Sequence, residues 1–470
     1  MYFQIIKTPG LAIQSFLLGD EISKKCIIID PTRHIVPYIV NAQSHGFTIT
    51  DILETHVHAD FVSGAKELKH ELNNKPRIWC SGMGGADWVP AYADVVVKEG
   101  MELKLETFHL KALHTPGHTP EHISWICYDD TRDSEIPWFV LTGDSLFVGS
   151  VGRPDLLGVK ESHELAKQLY HTLFTVFSIL PDFVEIYPSH TLGSLCGKAL
   201  NSKNSSSLGY ERSCNSYFKN HSEDVWIKNI LSENTLAPPY FSRLKKMNLK
   251  GPSFLGELLV KDWKGQENQK KIEELFLIDL RQPEIFAISH LKNSLNIPFN
   301  ISFSHWCGWM LPENKPLGFI AETSQIAFQA IEQIRVMGFD QEVWVICFDQ
   351  TDSYLNPYLT SFELINTKDF TEDNLNISHL YLVDVRTSSE WNSGHIAGAH
   401  HIELTHLKDS LNDLPTKVPI AFVCKSGARA SLAASLVEKQ GGFKVMNVRG
   451  GMQAWKQAGL PQEITTNTKI

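Results

Sequence analysis

The sequence predicts an α/β protein built of more than one unit. Three observations carry this. Short apolar, β-branched runs alternate with stretches of helical character. Residues suited to chemistry follow directly on such runs, on the loops where α/β proteins place their sites. The run Leu277-Ile278-Asp279-Leu280-Arg281 returns as Leu382-Val383-Asp384-Val385-Arg386, the mark of an internal repeat.

The bulk numbers agree. A chain of 470 residues is long for one domain, and two to four are expected. Apolar residues make up 43% and charged residues 20%, as in ordinary globular proteins. The net charge of −10 comes with no long basic run, so nucleic-acid binding has no electrostatic support. Met1 to Gly10 shows no basic stretch leading into an apolar one. No apolar run reaches the length of a membrane span. Eight cysteines are scattered through the chain, the usage of a reducing compartment. The expectation is a soluble, cytoplasmic protein with no membrane partner; the oligomeric state is open, and a homo-oligomer is compatible with all of this.

In order along the chain, Ile13 to Leu18 and Cys26 to Ile29 read as strands parted by the Gly19-Asp20 turn. Ile52 to Thr55 reads as a strand ending at His56, and Ser63 to Leu72 as a helix. Strand-like runs follow at Leu103–Thr107, Ile123–Cys127 and Phe139–Leu141. Residues 200–208 are Asn/Ser-rich and read as an exposed loop. This first unit is placed at 1–245. Two repeat copies follow at 246–356 and 357–470, each with strands and helical stretches that suggest a parallel sheet covered by helices. Each Asp-x-Arg is followed nine residues later by His, His290 and His395.

Four segments of the first unit carry metal-binding residue types: Thr55-His56-Val57-His58-Ala59-Asp60-Phe61, Thr115-Pro116-Gly117-His118, Thr142-Gly143-Asp144 and Tyr187-Pro188-Ser189-His190. A lone histidine is more often a satisfied core residue. The ordered set argues for a metal.

With these motifs, the first unit resembles the metallo-β-lactamase superfamily, whose fold is an αβ/βα sandwich. The superfamily pattern is His-x-His-x-Asp-His, and here its last position is Phe61. Phe is no ligand, which speaks against a two-zinc hydrolytic site. Gly143-Asp144-Ser145-Leu146-Phe147 followed by Gly152-Arg153-Pro154-Asp155-Leu156 resembles the persulfide dioxygenase branch. That resemblance implies one Fe(II) held by His56, His118 and Asp144, a facial triad that leaves room for substrate and O2. It implies oxidation of a low-molecular-weight persulfide, glutathione persulfide above all, to sulfite. His58, Asp60 and His190 would orient the ligands or a bound water. Arg153 is a candidate for a substrate carboxylate, with Lys198 and Arg212 behind it as equally good surface cations. Cys196 reads as a packed thiol. The alternative is a zinc thioester hydrolase of glyoxalase II type (hydroxyacylglutathione hydrolase), in which zinc replaces iron.

Near the C-terminus Cys424-Lys425-Ser426-Gly427-Ala428-Arg429 follows the apolar run at Phe422-Val423 and opens a helical stretch at 429–436. A cysteine before a helix start sits among backbone N–H groups, and the dipole with Lys425 and Arg429 favours thiolate. With Gly394-His395-Ile396-Ala397-Gly398 and Val448-Arg449-Gly450-Gly451-Met452, this region resembles a rhodanese domain. The resemblance implies that Cys424 carries sulfane sulfur among thiosulfate, persulfide and thiol, that Arg429 takes part in the chemistry, and that Lys425 binds substrate. The related phosphatases need a loop one residue longer; here Arg429 lies five residues after Cys424. Asp384 and Arg386 are expected to pair for the fold. The middle copy reads Ala321-Glu322-Thr323-Ser324-Gln325 at the loop position. It lacks both Cys and Arg and is expected to be catalytically dead.

Overall fold

A computed structural model describes residues 1–197, 200–219, 222–232, 236–256, 259–263, 271–347, 353–370 and 379–464. The chain divides into two compact units, Met1–Glu257 with Gln333–Gly338, and Leu258–Glu332 with Phe339–Ile470.

The first unit contains two six-stranded sheets. The first takes its strands in chain order, Tyr2–Thr8, Ile13–Gly19, Lys25–Ile29, Thr48–Leu53, Arg77–Ser81 and Val95–Val97. It begins antiparallel and turns parallel from Lys25–Ile29 onward. The second sheet holds Glu102–Lys104, Phe108–His114, Ile123–Asp129, Asp133–Gly143, Glu185–Pro188 and Ser206–Ser207. Leu103–Thr107 is therefore not one strand: the chain turns after Lys104, and Phe108 opens the next. The expected loop at 200–208 ends in the short edge strand Ser206–Ser207, paired with Glu185 and Ile186.

The apolar runs are continuous because both faces of each sheet are covered. Phe16, Leu18, Ile27, Ile29 and Leu53 of the first sheet pack with Leu110, Trp125, Cys127, Phe139 and Leu141 of the second. The intervening Leu17, Ile28 and Ile52 point outward under Tyr38, Ala42, Ala65 and Leu68, the last four from helices Val36–Ser44 and Ala65–Glu71. On the far face of the second sheet, Ile126, Val140 and Ile186 lie under Leu169, Trp226 and Ile230 of helices Val159–His171 and Glu223–Ser232. The period of two thus shows in burial direction while hydropathy is unbroken.

The second unit contains two five-stranded parallel sheets. Numbered within each copy, both run 1-5-4-2-3. The strands are Val260–Asp262, Phe276–Asp279, Leu295–Asn296, Leu317–Ala321 and Val343–Cys347 in one, and Glu363–Ile365, Tyr381–Asp384, His400–His401, Ile420–Val423 and Val445–Val448 in the other. The sequence repeat is a repeat of topology. The repeated Asp-x-Arg is a buried paired turn: Arg281 Nη2 is 2.6 Å from Asp279 Oδ2, and Arg386 Nη2 is 2.6 Å from Asp384 Oδ2.

Candidate metal centre and cysteine loop

His56 follows strand Thr48–Leu53, Asp144 follows Asp133–Gly143, and His190 follows Glu185–Pro188. His118 lies between Phe108–His114 and Ile123–Asp129. Strand register puts these loops at one end of the sandwich: Leu53 is level with Ile29, Ile123 with His114, and Gly143 with Pro188. Asp30 ties two of the loops together. It accepts from Thr55 N–H at 2.7 Å, Thr55 Oγ1 at 2.8 Å and Ser189 Oγ at 2.7 Å.

His56, His118 and Asp144 are buried, with one donor atom of each within 4.8 Å of the others. His56 Nε2 is 3.8 Å and His118 Nε2 3.5 Å from Asp144 Oδ2. Each remaining donor atom is held elsewhere. His118 Nδ1 donates to the Arg153 carbonyl at 3.0 Å, His56 Nδ1 meets Thr55 Oγ1 at 2.9 Å, and Asp144 Oδ1 meets His190 Nδ1 at 2.7 Å. His56 Nε2 and Asp144 Oδ2 are buried without hydrogen-bond partners, an expensive state that a cation between them relieves. Burial, and then the neighbouring imidazoles, push the His56 pKa well below its usual value, and burial also lowers that of His118. Both rings present a lone pair. Burial opposes ionisation of Asp144, but the charge and hydrogen bond of His190 hold its carboxyl below the usual range. These three side chains fit a divalent metal.

The residues around them form a second layer of contacts. His190 bridges Asp144 and Asp60, whose Oδ2 lies 2.9 Å from its Nε2. Burial disfavours its charge, yet the two carboxylates raise it to about 10. His58 Nε2 lies 3.1 Å from Asp30 and 3.3 Å from Glu54. Phe61 is buried with its ring 4.2 Å from that of His58. Cys196 lies beside Asp60 and His190, and burial raises its pKa well above the usual thiol value. Besides Asp30 and Glu54, His122 and Glu121 escaped the sequence reading. His122 Nε2 accepts the Asp144 N–H at 2.9 Å, and burial lowers its pKa to about 3. Glu121 accepts the Val57 N–H at 2.8 Å, and burial raises it to about 7. The one available signal was the run His118-Thr119-Pro120-Glu121-His122, a polar cluster too dense for an ordinary turn.

The substrate cations fare differently. The Arg153 guanidinium is buried against Asp155 at 2.7 and 3.0 Å, and its carbonyl is what reaches the centre. Arg212 is committed to Asp182 and to the carbonyls of Phe177 and Leu180 at 2.6 and 3.0 Å. These contacts tie it to the fold. Lys198 lies outside the described residues. Gly152, from the Gly-Arg-Pro-Asp-Leu stretch, has a packing reason: a Cβ there would come within 1.9 Å of the Asp144 carbonyl.

In the second unit Cys424 follows strand Ile420–Val423 and precedes helix Ala428–Gln440. The Gly427 N–H donates to its sulfur at 3.1 Å. Lys425 is exposed. Arg429 is held bidentate by Glu390, both contacts at 2.7 Å. Burial opposes ionisation of Glu390, but Arg429 holds it down to about 2. The Gly450-Gly451 pair packs under the loop: a Cβ on Gly451 would lie 2.2 Å from the Cys424 carbonyl, which also accepts the Met452 N–H at 2.8 Å. In the other copy Ala321 stands buried at the corresponding strand end.

Residues 8–190 match the family model of the metallo-beta-lactamase superfamily, and residues 367–458 that of the rhodanese-like domain. The chain belongs to the metallo-β-lactamase superfamily and carries a C-terminal rhodanese-like domain. A persulfide dioxygenase ETHE1 of Mus musculus is 27% identical over 214 residues, 45% of this chain and 76% of its own length. A cytoplasmic hydroxyacylglutathione hydrolase of Arabidopsis thaliana is 33% identical over 177 residues, 37% of this chain and 62% of its own length, which is under two thirds. A solved metallo-beta-lactamase of Staphylococcus aureus superposes with a TM-score of 0.66 at 29% identity, covering 73% of this chain and 98% of its own. No helix among the described residues is long and apolar enough to cross a membrane.

Proposed function

We propose that the chain is a persulfide dioxygenase joined to a sulfurtransferase, acting in persulfide detoxification. The observation that carries the first part is the three-donor centre of His56, His118 and Asp144, with Phe61 where a further histidine would stand. Fe(II) bound there would supply O2 activation beside the substrate. The protein's own part is to hold three donors on one side, with His190, Thr55 and the Arg153 carbonyl fixing their orientation. Overall, a persulfide such as glutathione persulfide, O2 and water give the thiol and sulfite, with release of two protons. In the second part the Cys424 thiolate attacks the outer sulfur of thiosulfate. The S–S bond breaks, sulfite leaves, and a thiol then removes the sulfur from Cys424.

O2 uptake by iron-loaded protein given glutathione persulfide tests the first part, with sulfite quantified. Uptake with sulfite formation, lost in His118→Ala, is expected; no uptake from protein shown to hold iron would overturn it. Persistence of thiosulfate–thiol exchange in Cys424→Ser would overturn the second part.

One observation favours a second reading, a zinc thioester hydrolase of glyoxalase II type. Asp60, His190 and Cys196 also bring donor atoms within 4.8 Å of one another, next to Asp144, and could serve a second ion. Metal analysis separates the two: one iron per chain against two zincs.

A further inference from the structure

We infer that the cysteine-less copy positions the Cys424 loop, through Asn296 acting on Ser431. The inference rests on the sulfurtransferase reading of Cys424 and gives the silent copy a part in it.

Helix Ala428–Gln440 begins where the loop ends. It carries Arg429 in its first turn, and any rotation or slide of that turn displaces both the guanidinium and the Gly427 N–H bonded to the sulfur. One face of the helix is tied to the other copy turn by turn. Ser431 Oγ donates to Asn296 Oδ1 at 2.6 Å, the Asn296 N–H donates to Ser435 Oγ at 3.1 Å, and His290 Nε2 meets Glu438 Oε2 at 2.8 Å. Positions 431, 435 and 438 share one helix face. Lys439 adds its ammonium 4.2 Å from the centre of the Phe276 ring. Ser431, Ser435 and Asn296 are buried, so water offers their polar atoms no alternative partner.

Asn296 is itself held on its inner side. Its Nδ2 donates to the carbonyls of Asp279 at 3.1 Å and Arg281 at 2.9 Å, in the turn that the Asp279–Arg281 pair stiffens. In the catalytic copy the matching strand position is His401, level with Asp384 as Asn296 is with Asp279. His401 Nε2 donates to the Arg386 carbonyl at 2.8 Å. Asparagine does the same inward job and has an oxygen left over to accept from Ser431. The silent copy lacks the Cys and Arg of the chemistry but has the Asp-x-Arg turn and, where the other copy has His401, the Asn296 from which this clamp is built.

The test is steady-state thiosulfate–thiol exchange by the full-length protein, with the iodoacetamide alkylation rate of Cys424 followed by peptide mass spectrometry. Ser431→Ala and Asn296→Ala remove the tie nearest the loop; Ser431→Thr keeps the hydroxyl; Glu438→Gln weakens the tie farthest from it. Ser431→Ala and Asn296→Ala are expected to lower kcat about tenfold and to slow alkylation, with KM for thiosulfate within about twofold of the parent. Ser431→Thr should restore kcat, and Glu438→Gln should lower Tm without lowering kcat. If both alanine variants lose Tm while kcat and alkylation stay at parental values, the role is structural only and the inference falls. It falls equally if Glu438→Gln depresses kcat as much as they do. A parent that exchanges no sulfur sinks the sulfurtransferase reading instead, and the alkylation rates then decide positioning alone: slower in the alanine variants supports it, unchanged overturns it.

Discussion

At Asp144 the two oxygens of one carboxylate have separate tasks. Oδ1 is spent on His190, and Oδ2 is left facing His56 and His118. What holds His190 therefore sets the aim of Asp144. Asp60→Asn removes the charge on the far side of His190 and is expected to lower metal affinity about tenfold to a hundredfold. Metal retained during titration with a chelator measures it, and parental retention would refute the chain of orientation. In the second unit, Glu390 is the residue with a pH signature. Its pKa is depressed from 4.5 to about 2, so the Glu390–Arg429 pair stabilises the fold above pH 4.5 and is lost as pH falls toward 2. A shift of that size corresponds to roughly 3 kcal/mol; 30% exposure of the Glu390 side chain reduces it to about 1–2 kcal/mol. The stability gap between parent and Glu390→Gln, from urea unfolding, should narrow as pH drops below 4.5. A gap independent of pH would show the pair to be idle.

At the scale of elements, both sites depend on a glycine that lets one loop pass against another. Gly152 admits the Asp144 turn, and Gly451 admits the carbonyl of Cys424, with φ of 53°. Gly152→Ala should cost about 1–3 kcal/mol through overpacking and, on the proposed function, deplete the metal while sparing sulfur transfer. Gly451→Ala should cost a similar amount, with added strain at positive φ, and do the reverse. Thermal unfolding, metal content and thiosulfate exchange read both variants, and parental values in all three would remove the close approach as a constraint. The elements themselves were largely legible in the sequence. Cys26–Ile29, Ile123–Cys127 and Phe422–Val423 lie on strands because β-branched and aromatic runs bounded by turn residues have few other solutions. Leu103–Thr107 misled because apolar Leu103, Leu105 and Phe108 straddle a turn, and hydropathy alone cannot show that Glu106 and Thr107 reverse the chain.

For the molecule as a whole, the metal centre and the cysteine loop belong to different compact units. On the proposed function, removing the metal with a chelator is expected to abolish O2 uptake and leave thiosulfate exchange within about twofold of the parent, and Cys424→Ser to do the opposite. Loss of both activities in either experiment would mean that the two chemistries depend on each other.

The sequence by itself determined the metal-binding vocabulary, the cysteine loop and the internal repeat. In each of these the chemistry is local: a few residues on one turn, or one motif repeated in order, carry the signal. Tertiary structure alone decided the partners. Asp30 under Thr55 and Ser189, Glu390 against Arg429 and Asn296 against Ser431 join residues 25, 159, 39 and 135 positions apart. It also decided that Arg153 contributes its carbonyl while its guanidinium goes to Asp155, and that Arg212 belongs to Asp182. A polar side chain in a sequence shows what it can bond; which bond it makes is set by the groups that burial brings beside it and by the cost of leaving any of them unpaired.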